Sequence, residues 1–198
     1  MANQEKPKRK QLSAQDWLLA AIVAMAQGGV DNVKVERLAK QLGTSKGSFY
    51  WHFKDRKDLL DQLIRYWVEQ GTNAVMAANE AAGNSPQAKL HSLLQVALDE
   101  PVGTLSSAQG EMAIRGWAMI DPHIREIVSQ TEQTRIQYVS TLLQAAGLNA
   151  AEAHRGAEQL YLLLLGFFAR ASYAPDTADS ARQAVLDHLT ATMNMAAK

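Results

Sequence analysis

The 198-residue chain contains no cysteine. That excludes a disulfide framework and thiolate-ligated metal, and it fits a reducing compartment. Long apolar runs are missing as well. The most apolar stretch, Leu160 to Ala169, has ten residues, whereas a helix that spans a bilayer needs about 20. The opening MANQEKPKRKQLSAQD is charged and has no apolar block, so it does not read as a secretory signal. The expectation is a soluble, cytoplasmic protein with no membrane partner. Catalytic signatures are scarce too. The histidines His52, His91, His123, His154 and His188 are scattered and never spaced His-x-x-x-His. There is no Gly-x-Ser-x-Gly, phosphate-cradling loop or dinucleotide fingerprint. Nothing points to an enzyme, a metal or a cofactor. No segment alternates with the period of a strand and no repeat is visible, so the fold class reads as all-α.

What is present is unevenly spread. The formal net charge is zero, but residues 1–60 carry 11 Lys+Arg against 6 Asp+Glu, a net of +5, and residues 61–198 carry 9 against 14, a net of −5. A basic third joined to an acidic remainder suits a nucleic-acid-binding head on a body that does not touch the polyanion. The tail adds a basic cluster, Lys6, Lys8, Arg9 and Lys10. It reads as a solvated end that can also reach a phosphate.

The informative stretch is VERLAKQLGTSKGSFYWHFKDRKDLL, residues 35–60. Val35, Leu38, Ala39 and Leu42 recur at helical spacing. Gly43 can stop that helix in the left-handed conformation, and Thr44 or Ser45 can cap the next. A second helix over about Lys46 to Phe53 points Phe49 and Phe53 inward, four residues apart. Lys46, Gly47, Ser48, Tyr50, Trp51 and His52 remain on or near its outer face. Two short helices joined by a tight glycine turn describe a helix-turn-helix. Lys46 and Arg56 can neutralise phosphates, and Ser48, Tyr50 and His52 offer neutral donors. Gly47 leaves room where the helix comes nearest the base edges.

The run GTSKGSFYWHFKDRKDLL resembles the recognition segment of the TetR family of transcriptional regulators, with its aromatic-rich Tyr-x-His-Phe, then a cation and Leu-Leu. GEMAIRGWAMIDPHIREIV is similar to the C-terminal domains of one TetR subgroup. The resemblance implies a DNA face of Thr44, Ser45, Lys46, Gly47, Ser48, Tyr50, Trp51, His52 and Arg56. In it Lys46, Gly47 and Ser48 face bases, and Tyr50, Trp51, His52 and Arg56 hold phosphates. Two positions depart from the family pattern. Lys34 replaces the usual Ser or Thr cap, and Glu36 stands where many members have a cation, which leaves no DNA contact to expect from that helix.

Around this motif the chain reads as about nine helices. Ser13 and Asp16 open the first like a capping box, and Trp17, Ala20, Ala21, Ala24 and Met25 form its inner stripe. Asp55 caps a helix expected to run unbroken to about Ala78. Others follow over about Pro86–Leu98, Ser106–Ile120, Pro122–Ala146, Ala150–Ser172 and Thr177–Met195. The division expected is 1–56 for a three-helix helix-turn-helix domain and 57–198 for a helical domain for ligand binding and dimerisation. The block LYLLLLGFFA is apolar on nearly every face and must be covered all round. Either a second copy covers it, with Leu160, Leu164, Phe167, Phe168, Leu186 and Leu189 at a dimer interface as the resemblance also implies, or it is a central helix of the monomer. Family members enclose an effector between the intervening helices, which nominates Trp67, Met112, Arg115, Trp117, His123 and Tyr138. Arg115 can equally pair with Glu111 at i, i+4.

The reading is a homodimeric, effector-responsive repressor that binds a palindromic site on double-stranded DNA. The rivals are a DNA-binding protein of the same fold controlled by a protein partner or acting architecturally, and an enzyme or carrier built on a helical bundle.

Overall fold

In the computed structural model the first helix, α1 (Ala14–Gly28), is set by its cap. The Ser13 hydroxyl accepts from Asp16 N, and the Asp16 carboxylate accepts from Ser13 N at 2.7 Å. Residues 12–83, 85–99 and 107–196 are described. The basic cluster Lys6, Lys8, Arg9 and Lys10 and residues 100–106, with the expected start of a helix at Ser106, lie outside them.

After α1 a 3₁₀ turn, Val30–Asn32, leads into α2 (Val35–Gln41), α3 (Lys46–Tyr50) and α4 (Arg56–Val68). Trp17, Ala20, Ala21, Ala24 and Met25 are all buried, as the stripe predicts. Leu38, Phe49, Phe53, Leu59 and Leu63 join them in one core. Trp17 meets Phe49 edge-on at 5.3 Å, and Phe49 meets Phe53 at 5.2 Å. This aromatic triad pins the five-residue α3 against α1. The same core continues outside the head, taking in Ile114, Trp117 and Ala118 of α7 (Ala108–Ile120), and Ile124 and Val128 of α8 (Pro122–Ala145).

The helix expected to run unbroken from Asp55 to Ala78 is interrupted. Residues 69–73 form a π turn between α4 and α5 (Ala74–Ala81). An extra residue in the i→i−4 ladder frees a carbonyl, and a neighbour must satisfy it. Here Arg135 Nη2 donates to Gly71 O at 3.2 Å and Arg135 Nε donates to Thr72 Oγ1 at 2.9 Å. The cause is tertiary, 63 residues away in sequence.

The body comprises α6 (Pro86–Asp99), α7, α8, α9 (Ala150–Tyr173) and α10 (Ala178–Ala196). Asp121 caps α8 and Asn149 caps α9. The described residues contain helices and no strand. A second apolar cluster joins α6, α8, α9 and α10. It takes in the residues expected at a dimer interface. Leu160, Phe167, Phe168 and Leu189 are buried within the single chain, and the half-buried Leu164 and Leu186 pack on the same cluster. The apolar block of α9 is covered mainly by its own α7, α8 and α10, the central-helix alternative. Only Leu162 and Tyr173 among its large apolar residues stay exposed.

Replacing Phe49 by Ala should cost the fold about 3–5 kcal/mol, the usual loss for a truncated buried ring. Trp51→Ala, two residues on but 88% exposed, should stay within about 0.5 kcal/mol of wild type. Denaturant melts of the two variants check the contrast.

Candidate nucleic-acid interface and effector cavity

Gly43, φ +65°, ends α2 in the left-handed region. Thr44 N donates to Ala39 O at 2.9 Å and Gly43 N donates to Lys40 O at 3.2 Å. This paired closure is a Schellman motif. Of the two cap candidates, Ser45 takes the position, accepting from Ser48 N at 3.4 Å. The turn and the cap fix the direction in which α3 leaves α2, and the aromatic triad fixes its roll.

The outer face follows from that roll. Tyr50 is 61% exposed, its ring edge-on to Phe49 at 5.3 Å, so a buried neighbour steadies a solvent-facing phenol. His52 is half-buried beside Phe53. Gly47 is exposed, and an added Cβ there would meet only Ser45 Oγ at 3.5 Å, an ordinary contact. The protein's own packing therefore does not require glycine at this position. Lys46 Nζ donates to Glu36 Oε1 at 2.5 Å. The hydrogen bond from Lys46 holds the Glu36 carboxyl below its usual range. Both partners are exposed, and such pairs are weak and screened by salt.

Arg56 is placed differently from its neighbours. Its Nε donates to Val33 O and its Nη2 to Val30 O, both at 2.6 Å, with the Asp31 carboxylate 4.0 Å from Nη2. These bonds strap the start of α4 to the 3₁₀ turn after α1. Nothing in the local sequence signals such a contact, because the partners lie 23 and 26 residues away.

The second site is a cavity of about 100 Å³ bounded by the π turn and by α5, α6, α8, α9 and α10. Its walls are aliphatic and aromatic, with Val75, Leu94, Val139, Leu160, Leu164 and Phe168 among them. Its polar floor is built on Glu111, a carboxylate only 2% exposed. Arg135 Nη2 donates to Glu111 Oε1 at 3.2 Å, Arg135 Nη1 to Oε2 at 3.3 Å, and Arg115 Nη1 also to Oε2. Trp67 Nε1 donates to Oε1 at 3.1 Å, and the Arg135 guanidinium lies 4.8 Å over the Trp67 ring. Burial pushes the Glu111 carboxyl up, but the charges of Arg135 and Arg115 outweigh it and the group is held below the ordinary 4.5. Burial likewise raises the Tyr161 phenol to about 12.

Of the residues nominated from sequence, Tyr138 lines this cavity. Trp67 and Arg115 stand one contact behind it, through Glu111. Met112 and Trp117 line a separate groove between α1 and α7, and His123 is exposed in the first turn of α8. Arg135 is not among the residues nominated from sequence, although it lies on one stripe with Thr131, Tyr138 and Leu142, spaced four, three and four apart.

The architecture is thus a helix-turn-helix head joined by one interrupted helix to a body that holds an apolar cavity. Residues 18–63 match the family model "Bacterial regulatory proteins, tetR family". The HTH-type transcriptional regulator AcrR of Shigella flexneri is 33% identical over 63 residues, 32% of this chain and 29% of that protein. The tetracycline repressor protein class A of Escherichia coli, from transposon 1721, is 34% identical over 62 residues, 31% of this chain and 29% of that protein. These matches thus span under a third of those relatives. A transcriptional regulator from Saccharomonospora viridis, solved in complex with choline, superposes with a TM-score of 0.72 at 20% identity, over 89% of this chain and 95% of that one. The family match therefore rests on the head, residues 18–63, and the likeness to solved structures extends the fold, at low identity, over the rest of the chain.

Glu111→Gln should destabilise the fold by about 3–5 kcal/mol at neutral pH, as removal of one partner from a buried ion pair does. Because the folded carboxyl titrates below 4.5, its contribution is complete above that value and fades as pH falls through the lowered one. The gap between wild type and variant in thermal melts should therefore narrow in acid.

Proposed function

We propose that the protein is a homodimeric, cytoplasmic repressor that binds a palindromic site on double-stranded DNA and responds to a small molecule held in the cavity. The reading divides the chain as expected from sequence, 1–56 for the DNA head and 57–198 for effector binding and dimerisation. The observation that carries it is α3. A five-residue helix is fixed by a Schellman turn, a cap and a buried aromatic triad, and it presents Lys46, Gly47, Ser48, Tyr50 and Trp51 outward. Such exposed aromatics and an unneeded glycine have no role in the protein's own core. Lys46, Gly47 and Ser48 read bases, with Thr44, Ser45, Tyr50, Trp51 and His52 against the backbone. Arg56 contributes chiefly by holding the head together.

The dimer is assigned to the outward stripe of α9, where exposed Leu162, Gly166 and Tyr173 fall on one face at helical spacing. A Cβ added at Gly166 meets nothing within 4 Å, which leaves room for a close partner helix. Two-fold symmetry then sets two recognition helices about 34–36 Å apart, one turn of duplex.

Coupling runs through the π turn. Gly71 and Thr72 line the cavity, Arg135 holds both, and Trp67 at the end of α4 bonds to the same Glu111. A ligand that favours a different arrangement of this cluster changes how α4 delivers the head, by as much as its affinities for the two states differ. The S. viridis relative, solved with choline, supports a ligand-holding body in this fold.

Gly47→Ala should fold at least as stably as wild type, since alanine favours helix by about 0.5–1 kcal/mol, yet bind operator DNA more weakly. Tyr50→Ala should weaken binding to all sequences alike, and Lys46→Ala should change sequence preference. Titrations at fixed salt read all three. Equal affinity for Gly47→Ala and Tyr50→Ala would remove the recognition assignment. Leu162→Arg should run as a monomer in analytical ultracentrifugation.

A further inference from the structure

The cavity has apolar walls and a floor whose charged groups, Arg115 Nε apart, are already committed to one another. A carboxylate offers about four acceptor positions, and Glu111 has four donors on it: Trp67 Nε1 and Arg135 Nη2 on one oxygen, Arg135 Nη1 and Arg115 Nη1 on the other. Arg135 spends further donors on Thr72 Oγ1 and Gly71 O. The Tyr161 hydroxyl accepts from Arg115 Nη2 at 2.8 Å and donates to Glu132 Oε1 at 3.3 Å. The Tyr138 hydroxyl accepts from Asn79 Nδ2 at 2.9 Å and donates to Glu80 Oε1 at 2.8 Å. Two guanidiniums face two carboxylates, Glu111 and Glu132, so the formal charge of the floor is balanced.

An ion entering this space would lose its water and find each counter-charge engaged. To gain an ion pair it must break one, and it leaves a buried charge behind, which is the costly outcome for groups out of water. A neutral, flexible hydrocarbon meets no such cost and gains from covering the aliphatic walls. We propose that the cavity takes an uncharged, predominantly aliphatic ligand, and that the closed Glu111–Arg115–Arg135 cluster is what excludes acids and amines of the same shape. This deepens, and rests on, the reading of the cavity as the effector site. The cluster is thus a specificity device without being a ligand-binding group itself. Because it also holds the π turn, the groups that reject ions are the groups whose rearrangement would carry a signal.

The test is titration calorimetry on the full chain with three matched series: hexanol, octanol and decanol, their carboxylates, and their alkylammonium ions. At least one alcohol should bind, with its charged analogues weaker by about tenfold or more. Leu164→Trp, which fills the cavity and leaves Glu111, Arg115 and Arg135 unchanged in sequence, should abolish alcohol binding. Glu111→Gln should gain binding of the carboxylate, since two guanidiniums then face one carboxylate fewer. If a carboxylate or alkylammonium ion binds wild type as tightly as the alcohol, and Leu164→Trp removes that binding, charge exclusion is wrong while the cavity remains an effector site. If no alcohol in the series binds, or Leu164→Trp binds it unchanged, the effector reading of this cavity falls together with the proposal.

Discussion

The bond set around Glu111 is the constraint on which the rest of the body depends. One buried carboxylate from α7 holds arginines from α7 and α8 and the indole at the end of α4. One of those arginines satisfies the carbonyl and hydroxyl of the π turn. Remove the charge and two guanidiniums are left with Glu132 as their one remaining carboxylate partner, in a space that solvates them poorly. Three helices and a helix defect are therefore tied to a single titratable group. The group sits between the apolar cavity and the helix that leads to the head.

The head solves a different problem. A helix of five residues is far below the length that is stable alone. It persists because its ends are closed by backbone and cap, and because one face is three aromatic rings deep. That arrangement frees the other face from any structural duty, which is what a surface that must match a duplex requires. The head is not mechanically separate, since its core runs on into Trp117 of α7 and Val128 of α8. A change in the body can reach it through this shared core as well as through α4.

The head was legible in the sequence because its determinants are local. Ser13, Gly43, Ser45 and Asp55 act on backbone groups within five residues, and Phe49 and Phe53 reveal their face by spacing alone. Most helix ends in the body were readable for the same reason. The π turn was not, because a hydropathy pattern over residues 56–78 reads as one helix whether or not it is underwound. Its cause is Arg135, far along the chain. The cavity was nearly invisible for a related reason: Leu160, Leu164 and Phe168 have the composition of an interface and of a core alike. Their apolar character shows that they are covered but not by what. Large side chains such as Trp117 and Met112 suit a pocket wall by type, yet smaller residues, Val75, Leu94 and Val139, line this space. Arg56 shows the converse. Its type suits a phosphate, and its geometry makes it a strap.

Recognition of a two-fold DNA site is the property on which the proposed function rests. The direct measurement is selection of bound duplexes from a random library, followed by titration of the winning sequence at two salt concentrations. The expected result is a palindrome with half-sites one helical turn apart, bound by two chains, with affinity that falls steeply as salt rises. Binding without sequence preference, or no binding even at low salt, would contradict it.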